Sequence, residues 1–589
     1  MKKLLDKYGL FLFILGSSIL HLFFLDADPS TLKKWGDISD AGWWSNLPYN
    51  KISYGEWISN SYDGGLSMAP LSTFIIYTWF LAVGHSYMSI KLISIVFYFL
   101  CLFVFYKLLG KENKQTKNTA LVFFCSSFYL FEFSRIGHID IISSFFFLLS
   151  FWSLQWKQKN NAFFTGLFSS LMILSKLSFI YFLPVIMFYY LIKNRHSLSL
   201  KSFLIPSLGL VLPVLMWLGV ESSIIISDEP HMKSWVINNY LPNILKNLHP
   251  LSWAHNFGSL NTIEFFKYPD NWFLTILVMV YFFRKRFHRV NLKKGFNCDS
   301  ETEVFSIVCV LLFFPLILIS DFSDRRFFPL IFPLIFLASK NTSLIISEKE
   351  QPSSLLSYIL CFFFLCSLIQ FFPDNVYLIL KSAFFVVPSI YLLDWFVFKK
   401  RLTYPVLIVS SIVFIASISV ANIKFLVEVF KDSFFYLIFP FLLLLFKGKP
   451  KVFWPAIFIV ISFVLHAFYL SNRSYSINKN MSDLNKKLSK GEWIIGQDWV
   501  MQIAFSTGTR AVYHSLDNLK LGAPNLKVAE QLKPKYLFWR EEKNRTLQDI
   551  FDQNPYIKQA LFCDLKYLGT YSWLSKKNGF KTHLYEIQY

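Results

Sequence analysis

Asp37 and Asp40 stand three residues apart in the stretch Gly36-Asp37-Ile38-Ser39-Asp40-Ala41-Gly42-Trp43-Trp44. On a helix, side chains at i and i+3 share a face. Two carboxylates held close raise each other's proton affinity, which suits one of them to take a proton from a hydroxyl group. Asp37 alone could equally cap a helix or be a solvated loop residue. A second set of ionisable residues interrupts apolar runs: Lys91, Arg135, Asp140, Lys176, Asp321, Asp324, Arg325 and Arg326. Charge at membrane depth is costly, so such residues usually pair or line a site. Any single lysine among them could be a snorkelling anchor. Taken together, Lys91, Arg135, Lys176, Arg325 and Arg326 suit an anion delivered from the lipid, such as a phosphate.

These residues must be positioned by membrane helices. Of 589 residues, 54% are hydrophobic and 68 are phenylalanine. Apolar runs recur at close to the roughly 20 residues needed to cross a bilayer. Stretches such as Phe145–Phe151 and Phe441–Phe446 lack period-2 alternation, so helices rather than a barrel are expected. The net charge of +21 does not point to nucleic acid, because the Lys and Arg sit in short loops between apolar runs. The seven cysteines lie mostly inside apolar runs and make no disulfide framework, and no zinc spacing, phosphate loop or internal repeat is present.

The positive-inside rule gives the threading. With Lys2, Lys3 and Lys7 in the cytoplasm, a retained first span runs over 8–25 and an acidic outer segment over 26–86. Counting 69–84 as a crossing would invert every later basic loop, so it is expected to lie in the outer interface. Further spans are expected at 87–108, 119–134, 140–155, 162–175, 177–193, 202–220, 271–284, 303–320, 327–339, 354–372, 375–397, 404–421, 433–447 and 452–470. The expected fold is an α-helical polytopic membrane domain, 1–470, with about 13–15 transmembrane helices and outer interfacial helices. A small α/β domain, 471–589, follows on the outer side, with strand-like runs at Trp493–Gly496, Tyr536–Trp539 and His583–Ile587. All the ionisable residues above then fall at the outer boundary, although none was used to set the orientation. The long outer segment 221–270 has the length of a lid over an acceptor. There Asp228, Glu229 and His231 could hold a divalent metal, or form a solvated surface cluster.

The outer-loop pattern around Asp40, continuing to Asn50-Lys51-Ile52-Ser53-Tyr54-Gly55-Glu56-Trp57, resembles the first loop of GT-C membrane glycosyltransferases, in the branch of protein O-mannosyltransferases and lipid A aminoarabinose transferases. Further matches follow in order over roughly 8–340: Pro70-Leu71 to Gly84, Lys91, Arg135-Ile136-Gly137-His138-Ile139-Asp140, Gly166-Leu167 to Ser175-Lys176 and Pro184, and Arg326-Phe327-Phe328-Pro329 to Pro333. Two positions depart from the family pattern, Ala41 where a second acidic residue is usual and Tyr49 where Arg is expected. Asp37 or Glu56 is then the candidate for the second carboxylate.

The resemblance implies a sugar moved with inversion from a polyprenyl-phosphate donor to a lipid, glycan or protein acceptor, outside the cytoplasm and in a bacterial inner membrane. It implies Asp40 as catalytic base, with Asp37 beside it. Lys91, Arg135, Lys176, Arg325 and Arg326 would stabilise the leaving phosphate, and Asp140 would orient Arg135. Glu56, Asp228, Glu229 and His231 would face the acceptor. A transporter or lipid flippase would need charges near the midplane and symmetric repeats, which the sequence lacks. Another membrane glycan transferase or ligase, or an inactive scaffold of the same shape, are the remaining alternatives.

Overall fold

The computed structural model describes residues 2–28, 35–55, 57, 68–157, 160–194, 199–228, 300–319, 328–347, 475–496, 500–513, 532–540, 546–553, 564–573 and 580–589, with a few isolated positions between 271 and 282 and at 466 and 473. The expected spans between 354 and 470 lie outside the described residues, apart from His466.

The chain opens with the helix Lys2–Leu20 and the helix Trp35–Tyr54, in the loop that the sequence reading puts on the outer side. The next helix, Pro70–Val83, starts with proline in its first turn and ends where Gly84 adopts φ +88°, a conformation that favours glycine. Its 14 residues span about 21 Å, short of the roughly 30 Å hydrocarbon core. Tyr87–Leu108 begins at Ser86, whose hydroxyl accepts from the amide of Ser89. Among the described residues three segments are long and apolar enough to cross a membrane: Tyr87–Lys111, Leu177–Asn194 and Ser202–Val220.

Several boundaries differ from the sequence reading for local reasons. The span expected at 119–134 is broken: Lys114–Ser126 ends at Ser127, whose hydroxyl caps a separate short helix, Phe128–Phe133. The span expected at 177–193 starts as a 3-10 turn, Leu177–Phe182, before Leu183–Asn194. The helix expected to stop at 220 runs to Asp228, so Asp228 ends a helix rather than standing in the outer loop.

Small and hydroxylated residues let these helices approach. A Cβ on Gly166 would fall 1.9 Å from the carbonyl oxygen of Pro206, and one on Gly209 would fall 2.2 Å from that of Phe163. Asn161–Ser175 and Leu200–Asp228 therefore touch backbone to backbone, the close approach small residues permit in membranes. Ser153 and Thr165 share a 2.8 Å hydrogen bond between Asp140–Leu154 and Asn161–Ser175.

The C-terminal part forms a five-stranded sheet in the order β2-β1-β3-β5-β4. Its strands are β1 Trp493–Gly496, β2 Arg510–Tyr513, β3 Tyr536–Arg540, β4 Asp564–Trp573 and β5 Phe580–Gln588. β1 runs parallel to β2 and β3, while β5 is antiparallel to β3 and β4. Helices Ser476–Lys487 and Val500–Thr507 bury Leu484, Met501 and Ile503 in one core with Phe538 and Trp573.

Candidate functional site

The outer-loop helix carries Asp37 and Asp40 within Trp35–Tyr54, and its side chains are described from Ala41 onward. At 100° per residue, Trp44 and Gly42 fall on opposite faces of this helix. The Trp44 ring lies 5.8 Å from the Lys176 ammonium group. Ala41 meets the outer turn of residues 134–139, where Gly137 has φ +87° and a Cβ on it would come within 3.2 Å of the Ala41 Cβ. Ala41 is fully buried there.

Lys176 follows directly after the helix Asn161–Ser175, and Asp140 opens the helix Asp140–Leu154. The Lys176 ammonium donates to both carboxylate oxygens of Asp140, at 2.9 and 2.7 Å, with side-chain exposures of 7% and 0%. His138 Nδ1 stands 3.9 Å from the same carboxylate. Asp140 therefore holds Lys176, not Arg135 as the sequence reading expected. A buried pair of this kind is costly to break from one side, because the survivor is left charged and unpaired.

Lys91 and Arg135, expected on a donor phosphate, instead grip the backbone that leads from the first helix to the outer loop. Arg135 Nη1 donates to the carbonyls of Leu20, His21 and Phe23 at 3.1, 2.9 and 2.7 Å, and Nη2 donates to Phe24 at 2.7 Å. These carbonyls lie at and just past a helix C-terminus, where a cation is favoured. The Lys91 ammonium donates to the carbonyls of Leu25 and Ala27 at 2.7 and 3.2 Å and lies 4.3 Å from the Tyr87 ring. Residues 20–28 are thus a strap held from below by the two cations.

Glu56, Glu229, His231, Arg325 and Arg326 lie outside the described residues, as do the side chains of Asp37, Asp40 and Asp228. Among the described residues no group of three His, Cys, Asp or Glu gathers to hold a metal ion.

Trp44 and His138 belong to stretches the sequence brings forward, but their partners were not legible, because an aromatic or a histidine at one position carries no local signal of what it meets. A further buried network, around Lys340, lies at the end of the helices away from the outer loop. Lys340 pairs with Glu303 and lies 3.9 Å from Glu112, and Tyr281 donates to Glu303. Lys193 and Lys111 meet Glu301 at 3.0 and 3.5 Å. Glu303 and Lys340 sit within or beside expected spans, and that placement was the signal available.

A helical membrane part, a helix laid over a buried Lys–Asp pair and a small C-terminal sheet match the architecture expected from the sequence and its resemblance to GT-C membrane glycosyltransferases. The model of the dolichyl-phosphate-mannose-protein mannosyltransferase family matches residues 67–217, a stretch that holds Lys91, Arg135, Asp140 and Lys176, and bears out that resemblance. No curated protein gives a significant match. Among solved structures the chain is similar to ArnT from Cupriavidus metallidurans bound to undecaprenyl phosphate, at 10% identity, covering 98% of each chain with a TM-score of 0.48. It is also similar to the archaeal oligosaccharyltransferase AglB from Archaeoglobus fulgidus in complex with an inhibitory peptide and a dolichol-phosphate, at 10% identity and a TM-score of 0.48, covering 98% of this chain and 74% of that one. At that distance these two likenesses carry no inference about residues.

Proposed function

We propose that this protein is an inverting glycosyltransferase that moves a sugar from a polyprenyl-phosphate donor to a hydroxyl acceptor on the non-cytoplasmic side of the membrane. The observation that supports this most is the placement of the 35–54 helix. It sets Trp44, on the helix that carries Asp37 and Asp40, beside the buried Lys176–Asp140 pair, and that pair belongs to the region matched by a family named for a lipid-phosphate sugar.

In this reading Asp40 removes the proton of the acceptor hydroxyl, the hydroxyl oxygen bonds to the anomeric carbon, and the bond from that carbon to the phosphate oxygen breaks. Asp37, one turn earlier, keeps the proton affinity of the pair high. Negative charge grows on the departing polyprenyl phosphate, and Lys176, beside Trp44, is the candidate to receive it, with Arg325 and Arg326 as further candidates. Asp140 fixes the Lys176 ammonium in place. Lys91 and Arg135 act one step back, through the strap 20–28 they hold. Glu56, Asp228, Glu229 and His231 are the candidate acceptor-side residues.

Purified protein in lipid, given a polyprenyl-phosphate sugar and a panel of lipid, glycan and peptide hydroxyl acceptors, should release free polyprenyl phosphate and form a product of inverted anomeric configuration. Donor that binds but is never consumed with any acceptor class would favour the scaffold alternative. Transport of the lipid without cleavage would favour a flippase.

A further inference from the structure

The C-terminal domain meets the outer loop at two joints. At the first, Asp28 at the end of the strap accepts hydrogen bonds from the amide of Ser476 at 2.9 Å, the hydroxyl of Ser476 at 2.7 Å and the amide of Ile477 at 3.1 Å. These groups open the helix Ser476–Lys487, so a residue nearly 450 positions earlier supplies that helix with its N-cap. The joint is reinforced where Asn478 donates to the carbonyl of Asp26 at 2.9 Å and the Arg473 guanidinium lies 4.0 Å from the Phe24 ring.

At the second joint the helix Val500–Thr507 lies against the 35–54 helix, on the side opposite Trp44. A Cβ on Gly42 would stand 2.4 Å from the Cα of Gln502 and 2.6 Å from its Oε1, so only glycine permits the contact. One end further along, Tyr49 meets Phe505 edge-on at 5.8 Å, Tyr54 donates to the carbonyl of Gly508 at 2.8 Å, and the Arg510 guanidinium lies 4.1 Å from the Tyr54 ring. Burial pushes the Tyr54 phenol well above its usual proton affinity, so it stays a donor across the working pH range. Phe80 of the Pro70–Val83 helix stacks on the same Phe505 at 5.5 Å.

The 35–54 helix needs such support. Its sequence includes Gly36, Gly42 and Pro48 with several Ser and Asn, residues that form helix poorly without tertiary packing.

We infer that the C-terminal domain positions the catalytic helix, with Asp28 as the positioning residue at one joint and Gly42 against Gln502 at the other. The catalytic role of that helix rests on the reading proposed above; its positioning does not. The domain is then a working part of the support that holds the catalytic helix.

Hydrogen exchange on the full chain in lipid nanodiscs tests this without any turnover. In Asp28→Ala, exchange in 476–487 and in 35–54 should rise together, by roughly fivefold to thirtyfold for a lost cap, while 87–108 and 140–154 stay protected. Asp28→Asn keeps one of the two acceptor oxygens and turns an NH2 toward the other donor, so its exchange should fall between wild type and Asp28→Ala. Gly42→Ala probes the second joint by sign: alanine favours helix over glycine, so an unsupported helix would exchange more slowly. The inference expects faster exchange, because the added methyl displaces Gln502. Where transfer activity is measurable, Asp28→Ala should lower kcat and leave the donor KM unchanged. The inference is overturned if 476–487 loosens in Asp28→Ala while 35–54 stays protected, or if Gly42→Ala slows exchange in 35–54. Should Asp28→Ala loosen every helix, the sign in Gly42→Ala decides alone. A protein with no transfer activity but this exchange pattern would sink the enzyme reading and leave the positioning intact.

Discussion

Lys176 can be separated into its two roles by a double-mutant cycle. Its ammonium makes two charge-assisted contacts with Asp140, at 2.9 and 2.7 Å, in a site where both side chains are almost fully buried. Lys176→Met keeps the length of the side chain and leaves the Asp140 carboxylate alone, which should cost about 3–5 kcal/mol of stability. Adding Asp140→Leu removes the stranded charge. A buried ion pair replaced by apolar side chains is often neutral or stabilising, so the double variant should return to within about 1 kcal/mol of wild type. It is then a folded protein without the cation. If Lys176 also meets the donor phosphate, donor binding in the double variant should fall by about 1.5–3 kcal/mol, roughly tenfold to 150-fold. Unfolding in detergent by two probes and donor binding in nanodiscs give the two readings. A single variant as stable as wild type would refute the buried pair. A stable double variant with unchanged donor affinity would refute the phosphate role.

Other consequences follow from the same geometry. Gly166→Leu puts a side chain where the Pro206 carbonyl stands and should destabilise the chain by at least about 1–3 kcal/mol, read as loss of folded protein in detergent; a neutral outcome would mean that the two helices do not cross there. Arg135→Ala removes the donors to four carbonyls and should speed hydrogen exchange in 20–28 more than anywhere else, whereas uniform exchange would show that the strap is held by other contacts. Cysteines at Val290 and Asn480 should label from opposite sides of the membrane, the first from the cytoplasm, and labelling of both from one side would overturn the threading.

The membrane helices were legible because their signal is local: apolar runs of near-spanning length, with Ser86 and Gly84 marking ends. The break at Ser127 was not, since a serine in an apolar run reads as part of it until its hydroxyl is seen capping Leu130. Strand-like runs of β1, β3 and β5 stood out in the tail, while β4, with exposed Lys566 and Tyr567, did not. Of the site, sequence could pick the ionisable residues by their improbable placement, because charge in an apolar run is unusual wherever it falls. It could not assign partners. Asp140 lies five residues from Arg135 and thirty-six from Lys176, yet it pairs with the distant one, because two helix ends meet there. The joint between Asp28 and Ser476 is longer-ranged still, and no local pattern announces it.

The central claim is that Asp40 is the base that activates the acceptor hydroxyl. Its most direct test is the transfer rate of purified Asp40→Asn in lipid, with donor binding measured on the same sample. Asparagine keeps the shape and cannot accept the proton, so transfer should fall by about 10²–10⁴ while donor affinity stays unchanged. Asp37→Asn should lose less. Asp40→Asn retaining most of its activity, with Asp37→Asn losing it, would contradict the assignment and move the base one helical turn toward the strap.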